Sequence, residues 1–191
     1  MAAGNSVVGA ALAICLGLIA LPVSAASFVD PVTGFKVDPP APFVVQPAKS
    51  ASYDITVVIN SLSGSPSLGA GDNFLCQVGY KGMPGNNDFT QDEINLQITS
   101  SDRLDKVAAA LSRNFEVTGK TIFELDGVTG IELIGKPKDA GKTAGVFVSM
   151  IDTPAGRTTL NCATRPEEID KAAEQFRLIR SSITPPGTPA H

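Results

Sequence analysis

Few side chains in this sequence combine in ways that do chemistry. The 191 residues contain one histidine, His191, at the end of a proline-rich stretch. With no imidazole elsewhere, no Ser-His or Cys-His nucleophile pair can be assembled, and the core holds no imidazole general base. Metal sites built on imidazole go the same way. Two Gly-Lys-Thr triplets begin at Gly119 and Gly141. A phosphate-binding loop needs a further glycine five positions earlier; those positions hold Asn114 and Lys136, and the residues after Thr143 read as a strand. The acid pairs Asp92-Glu93 and Glu167-Glu168 fall in first helical turns, where negative charge offsets the helix dipole. Asp54, Asp72, Asp88 and Asp126 are scattered through turns and strand edges without EF-hand spacing. No catalytic residue, metal or cofactor is expected.

Three residues remain as a candidate ligand or partner surface: Tyr53, Tyr80 and Arg157. Arg157 opens a strand beside a turn and can act as a lone anion-binding group. The competing reading is a rim arginine that packs its stem on the sheet. Tyr53 and Tyr80, with Phe89, flank two Gly-rich loops and can line a cleft. The competing reading is ordinary sheet-edge aromatics.

The cysteines follow from the amino end. Val7 to Ala25 is almost wholly apolar and closes with Pro22 and Val23-Ser24-Ala25, which reads as a secretory signal cleaved after Ala25. No Lys or Arg precedes Lys36, and the alternative is an uncleaved membrane anchor. Cleavage removes Cys15 and leaves Cys76 and Cys162. An even pair in an oxidising compartment predicts one disulfide, the alternative being two separately buried thiols. The formal charge is −4 and the pI about 4.9, which gives no electrostatic case for nucleic acid or an anionic membrane.

The elements that must position these groups read as follows. Residues 34–37 make a short strand, and Pro39 to Pro42 enforce an extended path. Phe43, Val44 and Val45 dock on the core. Tyr53 to Asn60 and Asn73 to Tyr80 are strands, followed by loops at 61–71 and 81–88 that read as flexible. Thr90 to Glu93 fits a capping box that opens a short helix. A stronger helix runs from Asp102 to Asn114 with Ser101 as N-cap, and Phe115 extends its apolar stripe. Asp126-Gly127 between 120–125 and 128–134 predicts a type I′ hairpin. Residues 144–164 form a second hairpin turned at 152–156. A second capping box at Thr164 to Glu167 opens a helix ending near Ser182. The layer rules give class α+β: a mostly antiparallel sheet with helices packed on it, an α/β/α sandwich. The expected division is a signal peptide at 1–25, one domain at 26–184 and a disordered Pro-rich tail at 185–191.

The opening motif GF-x-V-x-PP-x-PF at Gly34 to Phe43, the Tyr-led strand at Tyr53, the central helix, the Asp-Gly hairpin and the closing strand–helix unit resemble the PsbP-like superfamily, including exported bacterial proteins of the DcrB type. The resemblance implies an antiparallel sheet sandwiched by helices and a non-enzymatic role. The metal-binding histidines of its photosystem members have no counterpart here. The expected function is a periplasmic or secreted accessory that binds or assembles an envelope component. The alternatives are a small-ligand carrier with a cleft between sheet and helices, and a hydrolase using convergent Asp/Glu or Ser/Lys groups.

Overall fold

A computed structural model describes residues 27–188 apart from 70, 140 and 142. Residues 1–25, read from the sequence as a secretory signal, and His191 lie outside the described residues. The chain forms β1 (Phe28–Val29), β2 (Lys36–Val37), β3 (Phe43–Ala48), β4 (Ile55–Ser61), β5 (Cys76–Gly82), a 3-10 turn (Pro84–Asn86), α1 (Gln91–Thr99), α2 (Ser101–Leu111), β6 (Phe115–Leu125), β7 (Val128–Pro137), β8 (Gly145–Thr153), β9 (Gly156–Thr164), α3 (Ile169–Ser181) and β10 (Ile183–Thr184). Seven strands build one antiparallel sheet in the order β3-β4-β5-β9-β8-β7-β6, and β1, β2 and β10 form a small second sheet.

The period-2 alternation of the strands sorts their side chains onto two faces. One face carries Val45, Val57, Val78, Leu160 and Phe147 into a single core with Ile169, Ala172, Ala173, Phe176 and Ile179 of α3. Phe35 and Val37 of the small-sheet region close the same core over β3 to β5, and Phe35 stacks on Tyr80 with ring centroids 6.2 Å apart. On the opposite face Ile94 and Ile98 of α1 meet Ile131 and Leu133, with Leu104, Val107 and Leu111 of α2 packed alongside. Helices thus lie on both sides of the sheet, the α/β/α arrangement of the α+β class.

Local chemistry explains most boundaries. Asp126 and Gly127 hold φ of 50° and 76°, the pair of positive angles that a type I′ turn requires. Thr90 caps α1 reciprocally with Glu93. The helical stretch divides in two because Ser100 is extended at ψ 134°.

Several expectations give way. Phe43 to Ala48 is a paired strand, tolerating Pro47 because β3 is the sheet edge, where a missing N–H costs no ladder bond. Ser101 is the first helical residue of α2, not its cap; Ser100 takes that place without a side-chain bond. Phe115 belongs to β6. The second capping box does not form: α3 starts at Ile169 after Glu168, and Thr164 Oγ1 instead donates to the Ser67 carbonyl at 2.7 Å. That bond, with Ser67 N and Oγ both donating to Glu168, ties down the middle of the 61–71 loop, where Pro66 is buried. Hydrogen bonds across about a hundred residues carry no local sequence signal. The 185–188 stretch, read from composition as disordered tail, is docked. Pro185 and Pro186 are buried, and Thr153 Oγ1 donates to the Pro186 carbonyl at 2.6 Å. The remainder of that tail lies outside the described residues.

Candidate functional site

α1 and α2 cover β6, β7 and part of β8, so the same face of β9, β5, β4 and β3 is left without a helix. Its floor comes from alternate residues: Val148 and Met150 of β8, Arg157, Thr159 and Asn161 of β9, and Gln77, Gly79 and Lys81 of β5. One wall is the side of α2. The other is built by Tyr53 and the Gly82 to Gly85 segment, which enclose a shallow concavity of about 810 Å³ with Val148, Met150, Arg157, Thr159 and Asn161.

Tyr53 is placed by a glycine. A Cβ on Gly79 would lie 2.4 Å from Tyr53 Cγ, so only a bare backbone lets the ring lie across β5. Asp54 then holds the loop beyond it, accepting from Lys81 Nζ at 2.6 Å and Gly82 N at 2.8 Å. These bonds, Lys81 first, hold the Asp54 carboxyl below its ordinary pKa.

Arg157 is fixed from beneath. Asp152, with 8% side-chain exposure, pairs with it across the hairpin turn. Its carboxylate accepts from Arg157 Nε at 2.6 Å and from Arg157 Nη2 at 2.9 Å. Arg103 of α2 donates to the same carboxylate. The hydrogen bond to Asp152 pushes the Arg157 pKa up, against the effect of its burial. A second concavity, about 750 Å³, lies where Arg157 meets Gln97, Ser100, Arg103 and Lys106 at the α1–α2 junction.

The groove continues in the opposite direction. Val148 and Asn161 also border a smaller pit of about 290 Å³, closed by Phe74, Leu111 and Phe115 with Asp72 at its edge. One continuous face therefore runs from a charged end at Arg103 and Arg157 to an apolar end at Phe74 and Leu111.

Of the sequence candidates, Tyr53 and Arg157 come together and Tyr80 does not. Residues 80 and 157 point to opposite faces of the sheet. Tyr80 is buried in the core, its hydroxyl donating to the Ala155 carbonyl at 2.7 Å, and burial pushes its phenol above the ordinary range. Phe89 is exposed and borders neither concavity. The paired acids remain apart: Glu93 serves its cap and Glu168 holds Ser67. Cys76 and Cys162 face each other in register and are joined, with Cα atoms 4.0 Å apart and a sequence separation of 86. The sequence reading missed Arg103, Asp152, Gln77 and Asn161. Asp152 and Arg157 flank the hairpin turn symmetrically, and that opposite-charge spacing was the available signal. Arg103 reaches the site only through the packing of α2.

No protein-family model matches the sequence, and no curated protein matches it. The fold is similar to that of the solution structure of cyanobacterial PsbP (CyanoP) from Synechocystis, with a TM-score of 0.52 and 16% identity over 91% of this chain and 98% of that one. A protein of unknown function from Pseudomonas aeruginosa, titled a putative regulator, aligns at a TM-score of 0.39 and 10% identity over 81% and 92% of the two chains. The chain has a PsbP-like fold.

Proposed function

We propose that this protein is an exported, non-enzymatic accessory that binds a component of the cell envelope through the helix-free face of its sheet. The observation that carries the reading is the groove beside α2, which holds a charged pair at one end and an apolar pit at the other. A sheet of this size normally covers both faces when neither is used. A disulfide between two strands belongs in an oxidising compartment, in keeping with export. Among the described residues no helix is long and apolar enough to cross a membrane.

The test is site-specific photo-crosslinking in envelope extract. A photoreactive residue at Asn161, in the groove floor, is expected to give a discrete adduct. The same residue at Leu178, exposed on the far side of α3, is expected to give none. Equal labelling from both positions, or none from Asn161, would overturn the proposal.

The carrier reading draws on the 290 Å³ pit, which is mostly apolar in its lining. Its shallow continuation toward Arg157 suits an elongated occupant better than an enclosed small molecule, which ordinarily buries most of its surface.

A further inference from the structure

We infer that the groove receives an extended peptide segment of the partner, seated with a carboxylate against Arg103 and Arg157 and its apolar residues toward Phe74 and Leu111. This rests on the reading that the helix-free face is the binding face.

Charge selects the anchoring group. Asp152 is one negative charge shared by two guanidinium groups, so this end of the groove keeps one net positive charge. Neighbouring charges cancel: Lys81 pairs with Asp54 at 2.6 Å, and Lys106 lies 3.7 Å from Asp102. Asp152 occupies Nε and Nη2 of Arg157 and Nη2 of Arg103. The other guanidinium N–H groups have no partner among the described residues, and both side chains are about one-third exposed. A guanidinium fork matches the two oxygens of a carboxylate. One carboxylate neutralises the surplus, whereas a phosphate dianion would leave the site negative.

The floor selects a peptide over an alkyl chain. Gln77 and Asn161 stand opposite each other in the β5–β9 register. Their side-chain amides make no hydrogen bond to any described residue. An alkyl chain laid over them would remove their water and return no hydrogen bond. A peptide backbone offers one donor and one acceptor per residue. Length agrees as well. Arg157 to Ala163 spans six strand steps, roughly 20 Å, and six residues of extended peptide cover about the same distance. The Phe74, Leu111 and Phe115 end then takes an apolar side chain.

The experiment uses the exported, disulfide-bonded protein. Two pools of synthetic octapeptides, identical except for a free carboxylate or a carboxamide at the C-terminus, are passed over it, with sodium palmitate as a third probe. Retention is read by mass spectrometry and the site by amide chemical shifts. The expected result is retention of carboxylate-bearing peptides with shifts at Gly79, Thr159 and the side-chain amides of Gln77 and Asn161. Preference for the free-carboxylate pool identifies a C-terminus as the source. Retention of carboxamide peptides only where they contain Asp or Glu identifies a side chain. Arg103→Gln, which leaves Asp152 paired with Arg157 and keeps an amide N–H on α2 to donate to that carboxylate, weakens binding about tenfold, the scale of one charge-assisted hydrogen bond; Arg103→Lys recovers part of it. Gln77→Ala with Asn161→Ala weakens it without changing the carboxylate preference. Retention that ignores the carboxylate, retention of palmitate alone, no retention, or shifts confined to another face would each overturn the inference. An Asn161 crosslink to a partner that survives Arg103→Gln unchanged would sink the inference while leaving the proposed function standing.

Discussion

Removal of Glu132 should destabilise this protein more than any other single charge deletion on the α3 side. Glu132 lies in β7 at 3% exposure, facing α3. Its carboxylate accepts from Arg177 Nη2 at 2.6 Å, from Arg177 Nε at 3.1 and 3.2 Å, and from Arg180 Nη1. The two arginines differ in what they lose without it. Arg177 is 42% exposed and Arg180 is 14% exposed; Arg180 lies over the Phe123 ring, 3.7 Å from its centroid. Their pKa values move in opposite directions. The hydrogen bond to Glu132 raises that of Arg177, whereas burial lowers that of Arg180 despite the same carboxylate. Glu132→Ala therefore strands a charge that water reaches poorly, at a cost of about 3–5 kcal/mol. Arg177→Ala leaves Glu132 paired with Arg180, and an exposed partner of this kind is worth about 1 kcal/mol or less. Glu132→Leu combined with Arg180→Met should come out near neutral, because the stranded charge goes with its partner. Urea unfolding with the disulfide intact reads this directly. At a slope of about 1–3 kcal/mol/M, Glu132→Ala should lower the midpoint by roughly 1 to 5 M with little change in slope. If Glu132→Ala stays within about 1 kcal/mol of wild type, or Arg177→Ala costs as much as it does, burial of Arg180 does not set the energy.

Three further outcomes follow from named contacts. Replacing Cys76 and Cys162 by serine should cost roughly 4–5 kcal/mol in the chain-entropy model for a loop of this length, seen as a lower melting temperature; an unchanged melting temperature would contradict it. Gly79→Ala should dislodge the Tyr53 ring, since the new methyl would lie 2.4 Å from Cγ; a tyrosine with quenching by acrylamide unchanged from wild type would show that the ring never lay there. Glu168 has its pKa lowered, first by the Ser67 hydroxyl, so the unfolded chain binds its proton more readily. Its contribution is present above its unfolded pKa, near 4.3, and lost as pH falls through the lower folded value. The stability gap between wild type and Glu168→Gln should accordingly close on acidification, and a gap that widens would reverse the assignment.

What the sequence made legible was local or periodic. The Asp126-Gly127 hairpin, the Thr90 cap, the apolar stripe of α3 and the inward parity of Cys76 and Cys162 each depend on residues a few positions apart. The Thr164 box failed for a physical reason: the same hydroxyl had a better partner in Ser67, ninety-seven residues away. The tail failed similarly. Pro185 and Pro186 fit the composition of a loose end, yet the β8–β9 turn offers the Thr153 hydroxyl to the Pro186 carbonyl and places Ala155 against Gly187. The site was half legible. Arg157 and Tyr53 stood out by type and position, but Tyr80 shares the alternation of the buried face, and that parity was already present in Cys76, Val78 and Tyr80. Arg103 could be found only once α2 was laid on the sheet within reach of Asp152 in β8.

Strand β9 shows how one segment serves two demands without conflict. Its even positions, Leu160 and Cys162, enter the core and the disulfide; its odd positions, Arg157, Thr159 and Asn161, form the groove floor. Because successive side chains point to opposite faces, the two sets change almost independently. Substitutions at Asn161 can alter what the groove accepts while the disulfide directly behind it holds the backbone in register. Arg157 is the exception, since Asp152 beneath it is buried and shared with Arg103. At that end the groove and the fold rest on the same carboxylate, so the charge that positions a ligand also anchors α2 to the sheet.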